Sequence, residues 1–365
     1  MSGVTALLAK KEGILIAESR SARSWVLLIL RYVLLALVLG FAAYYLISQW
    51  DEVSAAIKLI AWQSAVLSFL LVLAGLALGT ISWIAILNGL GEDRVPFLRA
   101  AQILLVGQLG KYVPGSVWSY VMQMELGRQY NVSRPRVLIT ALYSAGVGVV
   151  ASLILGALAV PLLSQEQPEL LWLFALLPVG LICLHPAVMT WLASLVLKLF
   201  RRPPLDHRVK VSTVLIALST SIGSYICYGL HLTLLVNSLA DPDPQTVVLL
   251  TGAMAIGFSL SLFAFILPSG IGVREAVLVA AMATIVTVPQ AAAVSAVSRM
   301  MFTVGDVAAA GVAVLFVIIM RRRLRDEGSI STLDLSGEHE APSHEHPAAP
   351  VRGEDDAAVK KDSSS

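Results

Sequence analysis

Five ionisable residues, Lys111, Arg274, Glu275, Arg299 and Asp306, stand inside long apolar runs of this sequence, and they define the chemistry open to it. A charge held away from water must be paired or must line a hydrated cavity, so such residues mark a site by default. Lys111 lies near the middle of Ala100 to Val121, within Gly107-Gln-Leu-Gly-Lys-Tyr-Val-Pro-Gly115. The break at Val113-Pro-Gly-Ser116 predicts an inbound half-helix that ends there and an outbound one capped by Ser116. The free N–H groups and positive dipole end of the outbound helix would face an anion. Leu267-Pro-Ser-Gly-Ile-Gly-Val-Arg-Glu275 repeats the ingredients. A helix stops at Pro268, Gly270 and Gly272 permit a tight backbone, and a new helix begins near Val273 with Arg274 in its first turn. A guanidinium beside a helix N-terminus suits bidentate phosphate or carboxylate binding. The predicted substrate-binding set is therefore Lys111, Tyr112, Pro114, Gly115 and Ser116 with Gly270, Gly272, Arg274 and Glu275.

Each residue also has a plainer explanation. Lys111 could snorkel from a loop, and Arg274 could serve only to hold its loop in the cytoplasm. Glu275 is expected to pair with Arg274, Lys111 or Arg299 when the site is empty. Arg299 and Asp306 share a helix face two turns apart, too far to bond each other, and each is expected to find a partner on another helix. His185, before Pro186, and His231 read as hydrogen-bonded structural residues. Gly146-Val-Gly148 and Ala308-Ala-Ala-Gly311 read as close helix packing. Gly270-Ile-Gly272 lacks the third glycine and the βαβ setting of a dinucleotide site.

The elements that must position these residues are membrane spans. The 365 residues are 57% apolar and 14% charged, with a mean hydropathy of +0.79, which excludes an ordinary soluble domain. With 26 basic against 24 acidic residues, no nucleic-acid partner is expected. A spanning helix needs about 20 apolar residues. Trp25 to Ile47, Ala65 to Asn88, Val137 to Ser164, Leu170 to Leu197 (broken by Pro178 and Pro186), Val211 to Leu239, Thr246 to Leu267 and Ala291 to Met320 qualify, and Ala276 to Val288 makes a shorter eighth. Residues 1–24 form a cytoplasmic segment, 25–320 the transmembrane domain, and 321–365 a polar tail without apolar periodicity, expected to be disordered. Its His339, His344 and His346 read as solvated, Cys183 and Cys227 lie in apolar runs, and no metal or cofactor is expected.

Lys and Arg placement sets the orientation. Lys10, Lys11, Arg20, Arg23, Arg94, Arg99, Arg128, Arg134, Arg136, Lys198, Arg201, Arg202, Arg208, Lys210, Arg274 and Arg321 to Arg325 fall on one side if both termini are cytoplasmic. The other side then holds Lys58 with Asp51, Glu52, Glu166, Glu169, Asp241 and Asp243. Residues 100–121 begin and end beside cytoplasmic arginines, which predicts a re-entrant hairpin rather than a crossing. The expected fold is thus an all-α polytopic membrane protein of the plasma or inner membrane: about eight spans, a re-entrant hairpin and a broken helix near Pro268.

At Gly107 to Gly115 with Trp118, and again at Leu267 to Ala276, the sequence resembles the lysylphosphatidylglycerol synthase transmembrane-region family. The resemblance covers roughly residues 25–320. Gly-Lys-Tyr-hydrophobic-Pro-Gly maps onto Gly110 to Gly115, and Gly-hydrophobic-Gly-hydrophobic-Arg-Glu onto Gly270 to Glu275; Ser116 and Ser269 stand where glycine is the commoner form. It implies a bundle with broken helices around a lipid-headgroup cavity, and movement of amphiphilic lipids between leaflets. The soluble aminoacyl-transferring domain of the synthases has no counterpart here, so lysyl transfer is not implied. The expected function is transport of an anionic or zwitterionic lipid, isoprenoid-phosphate-linked and aminoacylated lipids included, without enzymatic activity. The alternative is an intramembrane glycosyl- or acyltransferase acting on a lipid.

Overall fold

A computed structural model describes residues 47–48, 50–112, 117–163, 178, 181–182, 184–199, 209–263 and 272–334. Most of the expected first span, residues 170–177, the break residues Pro114, Gly115, Ser116, Pro268 and Gly270, and the tail beyond 334 lie outside the described residues. The described residues are helical, with no strand: α1 (Trp50–Leu59), α2 (Trp62–Gly89), α3 (Phe97–Gln108), a 3-10 turn (Leu109–Tyr112), α4 (Trp118–Gln129), α5 (Arg134–Leu163), α6 (Pro186–Leu199), α7 (Val211–Val236), α8 (Pro244–Phe263), α9 (Val273–Met282) and α10 (Val288–Asp334). The chain divides into a main unit, Met1–Val317, and a second, Ile318–Ser365.

Among the described residues, five helices are long and apolar enough to cross a bilayer: α2, α5, α7, α8 and α10 over Val288–Met320. Their large exposed side chains, such as Leu67, Leu215, Phe263 and Leu315, are apolar, as lipid contact requires. Inside the bundle, small residues bring backbones together. A Cβ on Gly75 would lie 2.2 Å from the Tyr228 ring, and one on Gly229 2.5 Å from Thr251 Cα. Ser82 Oγ donates to Ala217 O at 2.9 Å and Ser224 Oγ to Gly75 O at 2.8 Å, tying α2 to α7. Of the two small-residue stretches expected to pack, Gly148 does, with a Cβ there 3.2 Å from Tyr225 Oη, and Ala310 is buried, whereas a Cβ on Gly146 or Gly311 would meet nothing within 4 Å among the described residues. No described residue faces Gly146 or Gly311, and a small residue packs closely only where a neighbour faces it.

The segment around Lys111 is a helical hairpin longer than expected, from Phe97 to Gln129. Each arm has 12 residues, about 18 Å of rise, which is too short to cross about 30 Å of hydrocarbon. A Cβ on Gly107 would lie 2.4 Å from Gln123 Cγ, and one on Gly110 2.8 Å from the Ser119 backbone, so these glycines let the arms close. The outer ends meet at one end of the bundle. Arg136 donates to Leu87 O and Asp93 O at 2.9 Å each, the Arg99 guanidinium lies over the Tyr130 ring, and Tyr130 Oη bonds Gln102. Nearby, the exposed Glu125 accepts from Arg134 at 2.7 Å and Arg128 at 2.8 Å. The Arg134 hydrogen bond, with that of Arg128, holds its carboxyl below the usual range.

Two details of the expected hairpin change. The inbound α-helix ends at Gln108, ahead of the proline, and Lys111 belongs to the 3-10 turn. The N-cap of α4 is Val117, without a side-chain cap bond, rather than Ser116. The helix starts one residue later than the Pro-Gly-Ser pattern suggests. The segment after Pro268 contributes only α9, whose 10 residues rise about 15 Å. The expected break near Pro268 itself lies outside the described residues, and a turn over residues 283–287 joins α9 to α10.

Candidate functional site

A cavity of about 490 Å³ opens among α2, α3, the 3-10 turn, α4, α5, α7, α8, α9 and α10. Lys111, Tyr112, Arg274, Arg299 and Asp306 all line it, so residues nearly 200 apart in sequence meet at one place.

Lys111 Nζ lies 2.6 Å from Asp306 Oδ2, and Tyr112 Oη donates to the same oxygen at 2.6 Å. Asp306 is 3% exposed and Lys111 31%, so the carboxylate is almost wholly covered by its partners while the ammonium side chain stays partly exposed. The latch ties the hairpin tip to α10.

Arg274 is held differently. Buried at 5% exposure, its guanidinium carbon lies 4.3 Å from the Phe258 ring centre and 4.1 Å from that of Phe302. The two ring centres are themselves 5.3 Å apart and the rings 64° to one another, so they flank the cation at an angle rather than sandwiching it, and each adds cation–π stabilisation. Arg274 Nη2 donates to Ser298 Oγ at 3.3 Å. Ser298 Oγ also lies 2.9 Å from His231 Nε2, and His231 Nδ1 lies 2.5 Å from Ser68 Oγ. His231 is fully buried and joins α2, α7 and α10, the structural role expected of it. His185 is exposed, and its Nδ1 accepts from Ala187 N at 3.4 Å beside the proline that opens α6. Among the described residues no carboxylate forms an ion pair with Arg274.

Glu275 fixes the start of α9. Its Oε2 accepts the Gly272 N–H at 2.8 Å and its Oε1 accepts from Arg299 Nη1 at 2.9 Å. Gly272 has φ 92°, a conformation that favours glycine. Of the three partners expected for Glu275, the structure selects Arg299. Lys111 goes to Asp306, and Arg299 and Asp306 each bond a residue from elsewhere, as their spacing predicts. The first-turn dipole of α9 is thereby engaged by the protein's own carboxylate rather than left open.

The two rings around Arg274 were not singled out from the sequence, although Arg299, Phe302 and Asp306 follow one face of α10 and Phe302 could have been read from that spacing. Also missed were Trp83, Gln123 and Ser144, which line the cavity from α2, α4 and α5. Trp83 Nε1, Gln123 Oε1 and Ser144 Oγ are shut off from solvent without a hydrogen-bond partner in the protein. Nothing in their local sequence distinguishes them from packing residues.

No curated protein matches the chain. The model of the lysylphosphatidylglycerol synthase transmembrane region matches residues 28–310. That range contains the hairpin, the broken helix and every cavity residue. The protein is a multi-pass membrane protein, and it belongs to the lysylphosphatidylglycerol synthase transmembrane-region family, a family of membrane domains associated with lipid flippase or synthase function.

Proposed function

We propose that the protein moves a phosphate-bearing lipid between the leaflets of the plasma or inner membrane, with both termini in the cytoplasm. The observation that carries this reading is the charge of the cavity wall: Lys111, Arg274 and Arg299 against Asp306, with Glu275 already bonded to Arg299. A cationic, water-accessible cavity among apolar helices is a place for an anionic headgroup whose chains stay in the bilayer.

Arg274 is the first contact. The two rings stabilise its charge, its one side-chain hydrogen bond among the described residues goes to Ser298, and no carboxylate among them has to be displaced from it. A phosphate there gains charge-assisted bonds at little reorganisation. Lys111 is the second contact, and it must exchange Asp306 for the phosphate. That exchange loosens the latch between the hairpin tip and α10, and it couples headgroup binding to movement of the hairpin. Glu275 keeps α9 and Arg299 in place throughout. Rocking about the short helices then opens the cavity to the other leaflet. The hairpin's paired ends, with Arg99, Arg128, Arg134 and Arg136 near them, support its return to the cytoplasmic side.

The transferase alternative needs a carboxylate free to act as a base. Asp306 and Glu275 are both held in ion pairs, which favours transport. The test is reconstitution of the full chain into liposomes carrying NBD-labelled phosphatidylglycerol, with dithionite quenching read over time and the lipid recovered for mass analysis. Transport predicts that the dithionite-protected pool collapses relative to protein-free vesicles while the lipid stays chemically unchanged. A modified lipid without leaflet exchange would establish the transferase instead.

A further inference from the structure

Arg274 is tied to the bundle by a run of side chains whose hydrogens can be assigned from both ends. A guanidinium only donates, so Ser298 Oγ accepts from Arg274 Nη2 at 3.3 Å. The hydrogen of Ser298 is then directed at His231 Nε2, 2.9 Å away, which makes Nε2 the unprotonated nitrogen of the ring. From the other end, a backbone carbonyl only accepts. His231 Nδ1, 3.2 Å from Ser68 O and 2.5 Å from Ser68 Oγ, therefore carries the ring proton. Ser68 Oγ passes its own hydrogen to His231 O at 3.0 Å. Both ends give the same answer, a neutral imidazole protonated on Nδ1. A proton on Nε2 would aim a second N–H at the hydroxyl oxygen that Arg274 already uses, and the hydrogen of Ser298 would lose this acceptor.

The run is closed to water: Ser68, His231 and Ser298 are 0% exposed and Arg274 5%. Chained bonds in such surroundings polarise and reinforce one another. The Phe258 and Phe302 rings stabilise the charge of Arg274, but a cation–π contact does not choose where its N–H groups point. Ser298 makes that choice. His231 also meets Phe302 edge-on, with ring centres 5.5 Å apart at 89°, so one imidazole supports both the hydroxyl and one of the rings that hold the guanidinium. Neither His231 nor Ser298 lines the cavity. Their route to a bound headgroup runs through Arg274, and it is built from α2, α7 and α10 without any residue of the hairpin.

We propose that His231 and Ser298 are positioning residues for headgroup binding: through the Ser298 hydroxyl, the neutral imidazole fixes the direction in which Arg274 presents its remaining donors to a phosphate. The inference rests on the lipid-transport reading and adds to it two residues that do not touch the lipid.

Phosphatidylglycerol binding to the purified full chain, measured by native mass spectrometry, tests this with substitutions that cut the run on one side or the other. His231→Gln places a carbonyl oxygen as many bonds from the backbone as Nε2, so it keeps the acceptor for Ser298 and gives up the Ser68 side. His231→Asn places its amide where Nδ1 was, so it keeps the Ser68 side and gives up Ser298. His231→Gln should bind phosphatidylglycerol within about twofold of wild type, and His231→Asn and Ser298→Ala each about fivefold more weakly, the scale of one hydrogen bond. A residue that only holds helices together would not separate the two His231 variants in this direction. In an Arg274→Ala chain, Ser298→Ala should weaken binding no further, because its influence runs through the guanidinium. The imidazole nitrogen-15 signals of the histidine-labelled chain, with that of His231 identified by its loss in His231→Gln, should show a neutral ring protonated on Nδ1. Where a His231 variant fails to fold, Ser298→Ala with and without Arg274→Ala decides. A ring protonated on Nε2, equal losses for the Gln and Asn variants, or a Ser298→Ala loss that persists in the Arg274→Ala chain would overturn the positioning role and leave lipid transport standing. A wild-type chain that binds no phosphatidylglycerol would remove the transport reading and the positioning role with it.

Discussion

The Lys111–Asp306 latch makes an asymmetric prediction about stability. Asp306 is 3% exposed and touches only Lys111 and Tyr112 among the described hydrogen-bond and ion-pair partners, whereas Lys111 is 31% exposed. Lys111→Met leaves a buried carboxylate with a single phenol donor. Removing one member of a buried pair costs about 3–5 kcal/mol, and the Tyr112 bond places this case near the lower end, at about 3 kcal/mol. Asp306→Asn leaves an ammonium that can hydrate, so its cost should resemble that of a partly exposed pair, about 1 kcal/mol. The double variant removes both charges and should cost about 1–2 kcal/mol, so the two substitutions couple by roughly 2–3 kcal/mol. Reversible unfolding in mixed micelles with increasing SDS, read by helical circular dichroism, measures all four corners of the cycle. Equal costs for the single variants, or additivity in the double, would refute the asymmetric burial on which the latch depends.

Three further outcomes follow from particular residues. Gly272→Ala places a Cβ at φ 92° and should cost at least about 1–2 kcal/mol in the same unfolding assay; unchanged stability would contradict the glycine's role at the start of α9. Cysteines introduced at Glu92 and Arg134, in an otherwise cysteine-free chain, should label with an impermeant maleimide from the same membrane face, and labelling from opposite faces would sink the re-entrant hairpin. Glu125 has a folded-state carboxyl pKa lowered by Arg134 and Arg128, so its stabilising contribution exists above the unfolded carboxylate range and is lost as pH falls through the folded value. Glu125→Gln should therefore lower the melting temperature slightly at pH 7, and the gap should close at pH 3 and in 1 M salt; a gap that widens on acidification would contradict the sign.

Span positions were readable because crossing a bilayer imposes a length and a composition. Ala65 to Asn88 became Trp62–Gly89, Val211 to Leu239 became Val211–Val236, and Thr246 to Leu267 became Pro244–Phe263. Charge in an apolar run was equally readable, because it is costly there, and the five ionisable residues singled out do meet in or beside one cavity. Partners were not readable. Three candidates were open to Glu275, and only the packing of α9 against its neighbours decides for Arg299. The cage around Arg274 draws Phe258 from α8 and Phe302 from α10, and a phenylalanine in an apolar helix gives no sign that its ring will cover a guanidinium. Gly146 and Gly229 look alike in sequence, yet one faces open space and the other lies against Thr251. Contact depends on which face a neighbour covers, and one chain's periodicity does not encode that.

The central claim is that Arg274 holds the headgroup phosphate during leaflet exchange. It is tested most directly by the initial rate of dithionite-accessible NBD-phosphatidylglycerol exchange in proteoliposomes, compared at equal reconstitution for wild type, Arg274→Lys and Arg274→Ala. The account predicts that Arg274→Ala falls to the protein-free rate, while Arg274→Lys keeps part of the activity because a cation remains beside the Phe258 and Phe302 rings without the two-pronged phosphate contact. A folded, monodisperse Arg274→Ala protein that exchanges lipid at the wild-type rate would contradict it.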